Sequence, residues 1–239
     1  GRGVACVLKE LLGGFQDRKI TLLCGEGNNG GDGFVVARLA SLSGAQVRTF
    51  LFASTDDVVG NARLNLDRAS ECGLHIENIR APKDLSEVRQ ALADPHAAVD
   101  ALLGTGIRGG PRGLVAEAIT LLREARCPIV AVDVPSGLDA DTGRAKGPCA
   151  VATSTVTFGQ PKLGHFFYPG RSLCGRLHLV DIGLPAPAVE AESVQTYLVA
   201  AHGGASLLPH REPTAHKGDC GRVVIVAGSV GLTGAATLS

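Results

Sequence analysis

The sequence has 239 residues, 45% of them hydrophobic, enough for one large domain or a domain with part of another. Its formal net charge is zero and only 4% of residues are aromatic, with no Trp, so neither an electrostatic nucleic-acid surface nor a base-stacking platform is expected. No apolar run reaches membrane-spanning length and no signal peptide opens the chain, so no membrane partner is expected.

Seven cysteines (6, 24, 72, 127, 149, 174 and 220) are scattered without a C-x-x-C. That pattern points to reduced, mostly buried thiols and a cytoplasmic location. The seven histidines lack metal-ligand spacing. The chain has no Met and begins at Gly1, which reads as a fragment at its N-terminus.

Val4 to Leu12 has helical periodicity and stops at Gly13-Gly14. Ile20 to Cys24 is an apolar run that reads as a buried strand, followed by a glycine-rich turn and a helix to about Ser43 carrying Val35, Val36, Leu39 and Leu42. Gln46 to Phe52 reads as a strand, Asp56 to Cys72 as a helix, His75 to Ile79 as a short strand and Leu85 to Leu92 as a helix. Ala97 to Leu103 is a further strand, and a helix with Val115, Ile119 and Leu122 comes after it. Pro128 to Val134, Ala150 to Phe158 and Arg176 to Ile182 read as later strands. Strands alternating with helices imply a three-layer α/β/α, Rossmann-like, doubly wound and mostly parallel sheet.

The glycine turn is the densest chemical signal. Residues 25–33 read Gly-Glu-Gly-Asn-Asn-Gly-Gly-Asp-Gly. Strand, glycine turn and helix present backbone N–H groups to a phosphate, with glycine supplying positive φ or close approach. Asn28, Asn29 and Asp32 add more side-chain polarity than a phosphate cradle requires, although one such residue alone would read as a helix cap. The array is not a Walker A loop, and the acidic residue expected about 20 positions on in a dinucleotide fingerprint is met only by Asp56 or Asp57.

Two more strands end in loops rich in glycine and oxygen donors, 104–110 and 133–139. Ligands of open α/β sheets lie beyond the carboxyl ends of the strands, so the three loops define one crevice. Asp100 lies inside an apolar strand and Asp133 at the end of one, where an unpaired carboxylate costs several kcal/mol. With only Arg108 and Arg112 nearby in sequence, a bound cation is a reasonable partner. Asn29, Asp100 and Ser136 offer only oxygen ligands, which favours a hard cation over zinc. The residues alone therefore point to an anionic, nucleotide-like ligand and a cation.

The run 25–33 resembles the signature of the NAD(P)H-hydrate epimerase family, the YjeF N-terminal domain. Val99 to Gly106, Val132 to Asp139 and Thr155 to Gly164 fit that family in order and spacing, covering most of residues 1–184. After a Pro/Ala-rich linker, Arg211 to Gly221 and Val226 to Ala235 resemble the opening of the ribokinase-like, ADP-dependent NAD(P)H-hydrate dehydratase. The implied organisation is an epimerase domain at 1–184, a linker at 185–194 and an incomplete dehydratase domain at 195–239, as in the front half of the bifunctional repair family. The usual N-terminal helix is expected to be truncated, and no dehydration is expected from this stretch alone. Val223 to Val226 is expected to expose an apolar edge.

The resemblance implies that NADHX or NADPHX binds at Asn28, Asn29, Gly30, Gly31 and Asp32, along Gly104, Thr105, Gly106, Ile107, Arg108, Gly109 and Gly110, and at Asp133. It also implies potassium at Asn29, Asp100 and Ser136, and ADP or ATP for the dehydratase. The implied reaction interconverts the R and S forms at C6 of the nicotinamide ring. Asp133 is the first acid/base candidate, with Asp32 and Lys162 behind it; ribose binding by Asp133 and phosphate pairing by Lys162 are the alternatives. A homo-oligomer is expected. The rival readings are a non-catalytic binding or dimerisation module, and a dehydrogenase-type Rossmann domain.

Overall fold

The computed structural model describes residues 1–106, 108–190 and 196–238. The chain forms two compact units, Gly1–Pro185 and Ala186–Ser239.

The first unit is built on seven parallel strands: β1 (Lys19–Cys24), β2 (Gln46–Leu51), β3 (Ile76–Asn78), β4 (Ala97–Ala101), β5 (Ile129–Val132), β6 (Ser154–Phe158) and β7 (Arg176–Val180), in the spatial order β3-β2-β1-β4-β5-β6-β7. Helices α1 (Arg2–Leu12), α2 (Asn28–Leu42) and α3 (Gly60–Glu71) cover one face; α4 (Leu85–Ala91) and α5 (Gly113–Glu124) cover the other. The expected doubly wound α/β/α architecture is therefore present, and the sheet is parallel throughout its described strands.

Burial on both faces explains the apolar runs. Ile20, Leu22 and Cys24 of β1 join the core under α1–α3, while Leu23 joins Phe50, Ala98 and Leu102 under α4 and α5. At roughly 1.5–3 kcal/mol for each fully buried large aliphatic side chain, these two layers are the main source of stability. The sheet order reverses between β1 and β4, whose following loops open the crevice at the switch point. Register sets Leu23 beside Asp100 and Asp100 beside Ala131.

Several boundaries differ from the sequence reading. The glycine turn is short, because α2 already begins at Asn28 after the N-cap Gly27. The buried side of α2 carries Phe34, Val36, Ala37 and Ala40, whereas Leu42 is exposed. The helix expected from Asp56 is split: a 3₁₀ turn at Thr55–Asp57, capped by Ser54, precedes α3. A four-residue helix α6 (Gly170–Leu173) and a 3₁₀ turn (Leu163–His165) follow β6, too short for periodicity to reveal. Of the seven cysteines, all free, only Cys24, Cys149 and Cys174 are buried, fewer than expected.

The second unit contains α7 (Ala186–Glu190), α8 (Ala201–Leu207) and α9 (Gly234–Leu238). Val223, Val224 and Val226 are exposed in a stretch without regular structure. No described helix is long and apolar enough to cross a membrane.

Candidate active site

The glycines after β1 work by close approach, not by positive φ: none of Gly25, Gly27, Gly30, Gly31 and Gly33 has it. A Cβ on Gly25 would lie 2.1 Å from the Leu102 carbonyl oxygen, and one on Gly30 would lie 1.8 Å from the Gly25 oxygen. Glycine thus lets α2 start directly against β1 and the end of β4. No side chain caps α2, so Asn28, Asn29 and Asp32 are not its caps. Gly31 N–H makes the first bond of the ladder, to Gly27 O. The preceding N–H groups of Asn28, Asn29 and Gly30 are the donors that a helix start offers to an anion.

Of the nucleotide-binding candidates, Asn28, Thr105, Gly106, Arg108 and Gly109 are exposed, Gly30 and Gly31 are buried, and Asn29, Asp32, Gly104 and Gly110 lie between. Ile107 lies outside the described residues. Asp32 pairs with the amino group of Gly1.

Asp133 and Lys162 meet. Lys162 Nζ donates to Asp133 Oδ1 at 2.6 Å, to Thr157 Oγ1 at 2.8 Å and to the Phe158 carbonyl at 3.1 Å. Thr157 Oγ1 in turn donates to Asp133 Oδ1 at 2.8 Å. The Asp133 and Lys162 side chains are 15% and 23% exposed, so the pair is partly accessible but mostly desolvated. Asp133 sits at φ 66, in the left-handed region that costs a non-glycine residue about 1–3 kcal/mol. The expectation that Asp133 needs a cation because only Arg108 and Arg112 are near is corrected: its partner is Lys162, brought in by the turn after β6.

Thr157 and His165 escaped the sequence reading. Thr157 was detectable as a polar residue on a buried strand; its neighbour Thr155, two positions back on the same face, is spent on the Cys174 carbonyl. His165 carried no signal. It is 1% exposed, accepts from the Lys162 backbone N–H at Nδ1 (3.1 Å), and its Nε2 lies 3.0 Å from the Asp133 carbonyl oxygen.

The second cluster is Asp100 and Ser136. Ser136 N–H donates to Asp100 Oδ2 at 2.8 Å and Ser136 Oγ donates to Oδ1, while Leu103 N–H donates to Ser136 Oγ at 2.9 Å. Burial pushes the Asp100 carboxyl up to about 6, against the opposing pull of these donors. Burial and the Asp100 charge likewise hold the Cys24 and Cys149 thiols up, so neither is a nucleophile at neutral pH. Asn29 reaches the same end of β4, packed against Gly104 with 3.3–3.4 Å available to a Cβ there. Its buried Nδ2 has no hydrogen-bond partner. Amide N and O are assigned by their partners, and reversing this amide puts an oxygen where the orphan donor stands. An amide oxygen, a buried carboxylate and a hydroxyl form an all-oxygen donor set that fits a hard cation. Among the described residues no group of three or more His, Cys, Asp and Glu forms a metal site.

A cavity of about 550 Å³ lies between α4 and α5, lined by Lys83, Ser86, Arg89 and Glu117 among others, and uses none of the three loops.

A family model described as YjeF-related protein N-terminus matches residues 1–164. The bifunctional NAD(P)H-hydrate repair enzyme Nnr of Moorella thermoacetica is 45% identical over 238 residues, which is all of this chain and 45% of that protein. The Escherichia coli enzyme of the same name is 38% identical, over 90% of this chain and 40% of that protein. The chain thus spans less than half the length of these curated relatives. The NAD(P)H-hydrate epimerase of Rhodopirellula baltica is 32% identical over 81% of this chain and 77% of its own length. The crystal structure of yeast ynu0, YNL200c, matches with a TM-score of 0.64 over 82% of both chains at 20% identity, a likeness of fold.

Proposed function

The chain belongs to the family of YjeF-related protein N-termini, and from that membership we propose that it epimerises NAD(P)HX at C6 of the nicotinamide ring. The observation that carries this reading is the Asp133–Lys162 pair at the carboxyl end of β5, with Thr157 bonded to both. An acid and a base side by side suit a reaction that gives a proton to a leaving hydroxyl and takes one from an entering water.

The Lys162 ammonium protonates the C6 hydroxyl, the ring nitrogen lone pair expels it as water, and an iminium ion remains. Water then adds to either face of C6 and passes its extra proton through Asp133 back to Lys162. The enzyme ends as it began, and the substrate is inverted or unchanged. Thr157 holds the pair in register, and partial burial keeps bulk water from separating it.

The dinucleotide is assigned to the start of α2 (Asn28, Asn29, Gly30, Gly31, Asp32) and to residues 104–110, supported by the exposed donors there. Potassium is assigned to Asn29, Asp100 and Ser136, supported by the orphan amide of Asn29 and the all-oxygen donor set. When bound it would be held by Asn29, Asp100 and Ser136 and would supply a fixed positive charge opposite the Asp100 carboxylate. Residues 185–194 are proposed as a linker and 195–239 as the start of an ADP- or ATP-dependent dehydratase, supported by the Moorella thermoacetica relative matching the whole chain. A cytoplasmic location and a homo-oligomer belong to the same proposal.

The test supplies mixed R- and S-NADHX with a separate S-specific dehydratase and ADP or ATP, in potassium buffer, and follows recovery of NADH absorbance. Conversion of the R half accelerated by this chain supports the epimerase. Absence of acceleration with folded protein leaves the non-catalytic binding module.

A further inference from the structure

The buried His165 touches both members of the proposed catalytic pair through their backbones. Lys162 N–H is an obligate donor, so Nδ1 is the acceptor and the ring proton resides on Nε2. Nε2–H therefore donates to the Asp133 carbonyl oxygen at 3.0 Å. One imidazole thus spans from the end of β5 to the turn after β6. Asp133 needs such a tie, because its backbone occupies the left-handed region at φ 66.

We infer that His165 is the positioning residue of the epimerase site, a neutral imidazole that fixes the Asp133 backbone and the Lys162 backbone at one separation. The inference rests on the epimerase reading for its catalytic consequence, but its structural content stands apart from it. Burial and the neighbouring Lys162 charge lower the tendency of the ring to protonate, with the Asp133 carbonyl and carboxylate opposing them. A protonated ring would turn a second donor against the Lys162 N–H and break the tie. His165 is too buried, at 1% exposure, to meet a dinucleotide itself.

The ring atoms divide the tie between two isosteres. In His165→Gln the side-chain amide nitrogen takes the Nε2 place and keeps the bond to Asp133. In His165→Asn the side-chain oxygen takes the Nδ1 place and keeps the bond to Lys162. His165→Leu removes both and keeps apolar volume.

The experiment measures kcat and KM for R/S exchange in the full chain, together with the ¹H–¹⁵N cross-peak of the Lys162 ammonium. Three acceptors hold that ammonium, so its exchange with solvent is slow while the pair is in register. The expected result for His165→Leu is a kcat loss of about tenfold or more with KM changed less than about threefold, and loss of the cross-peak. His165→Gln and His165→Asn, each keeping one of the two bonds, are expected to fall between His165→Leu and the wild type in both readouts. Wild-type kcat and an intact cross-peak in His165→Leu overturn the inference. Should that variant not fold, wild-type kcat and cross-peak in both amide variants overturn it equally. A folded wild-type chain without exchange activity, whose cross-peak still depends on His165, sinks the epimerase reading and leaves the positioning role standing.

Discussion

Lys162 Nζ stands 2.6 Å from Asp133 Oδ1, although the two residues are 29 positions apart and strand β6 runs between them. The pair is assembled by topology. β6 lies next to β5, and the turn that follows it brings Lys162 back over the β5 end. Its charges, its burial and its place at the carboxyl end of β5 are what make it the proposed acid–base centre.

Asp133→Asn keeps the shape and tolerates the left-handed backbone, since asparagine is one of the few residues at ease there. It removes the base and the charge facing Lys162. The expected outcome is a fall in R/S exchange of about 10²–10⁴ with a far-UV circular dichroism spectrum like the wild type's. Asp133→Ala should lose as much activity and more stability, because alanine bears the full backbone strain. Near-native exchange by the asparagine variant would remove Asp133 from the mechanism.

Thr157→Val is nearly isosteric and takes out only the hydroxyl between the charges. Lys162 then loses one of three acceptors and Asp133 one donor. A stability loss of about 1–3 kcal/mol in urea titration is expected, with kcat lowered and KM little changed. An unchanged kcat would mean that the ion pair holds its register without the threonine.

Gly30 and Gly27 separate folding from binding in one loop. A Cβ on Gly30 would meet the Gly25 carbonyl at 1.8 Å, whereas one on Gly27 meets nothing within 4 Å. Gly30→Ala should therefore lower the free energy of unfolding by several kcal/mol or prevent folding. Gly27→Ala should still fold, at a cost of about 1 kcal/mol or less for the poorer N-cap of α2. Weakened dinucleotide binding in Gly27→Ala, read by calorimetric titration, would mark this turn as a surface that the ligand approaches closely.

Asp100 gives a pH dependence of definite sign. Its folded carboxyl is pushed up to about 6, above the unfolded value of about 3.9. The folded state therefore holds the proton more tightly. Stability is greatest below the unfolded value and falls as pH rises through about 6, by on the order of 3 kcal/mol in all. A cation that binds Asp100 opposes this loss only where the carboxylate is charged. Potassium in place of choline is thus expected to raise the melting temperature at pH 7.5 and much less at pH 5. Asp100→Asn should abolish the difference, and equal melting temperatures in the two salts at both pH values would remove the potassium site.

The fold was legible because its signals are local. Apolar runs such as Leu22–Cys24 and Val130–Val132 are buried on both faces of the sheet and stand out in any window. Gly13 marked the end of α1 through a left-handed cap at φ 67. The start of α2 was hidden, because Asn28 to Gly33 has a composition that ordinarily ends helices; only the contacts of Gly30 with Gly25 and of Gly31 with Ala62 explain why glycine is helical there. In the site, Asp100 and Asp133 were visible as carboxylates out of place in apolar strands. Lys162 entered as a candidate only after the family resemblance and without its pairing to Asp133, and His165 did not enter at all, since the reach from one strand end to the next turn is a property of β5–β6 adjacency. No spacing in the sequence encodes it.

One measurement stands ahead of the others. Pure S-NADHX is incubated with the whole chain in potassium buffer, and the R form is followed by chromatographic separation against the uncatalysed rate, for the wild type and for Asp133→Asn. The Asp133–Lys162 pair as acid and base predicts rapid approach to the R/S equilibrium with the wild type and the uncatalysed rate with the variant. Equal rates for the two folded proteins, whether both fast or both slow, would contradict it.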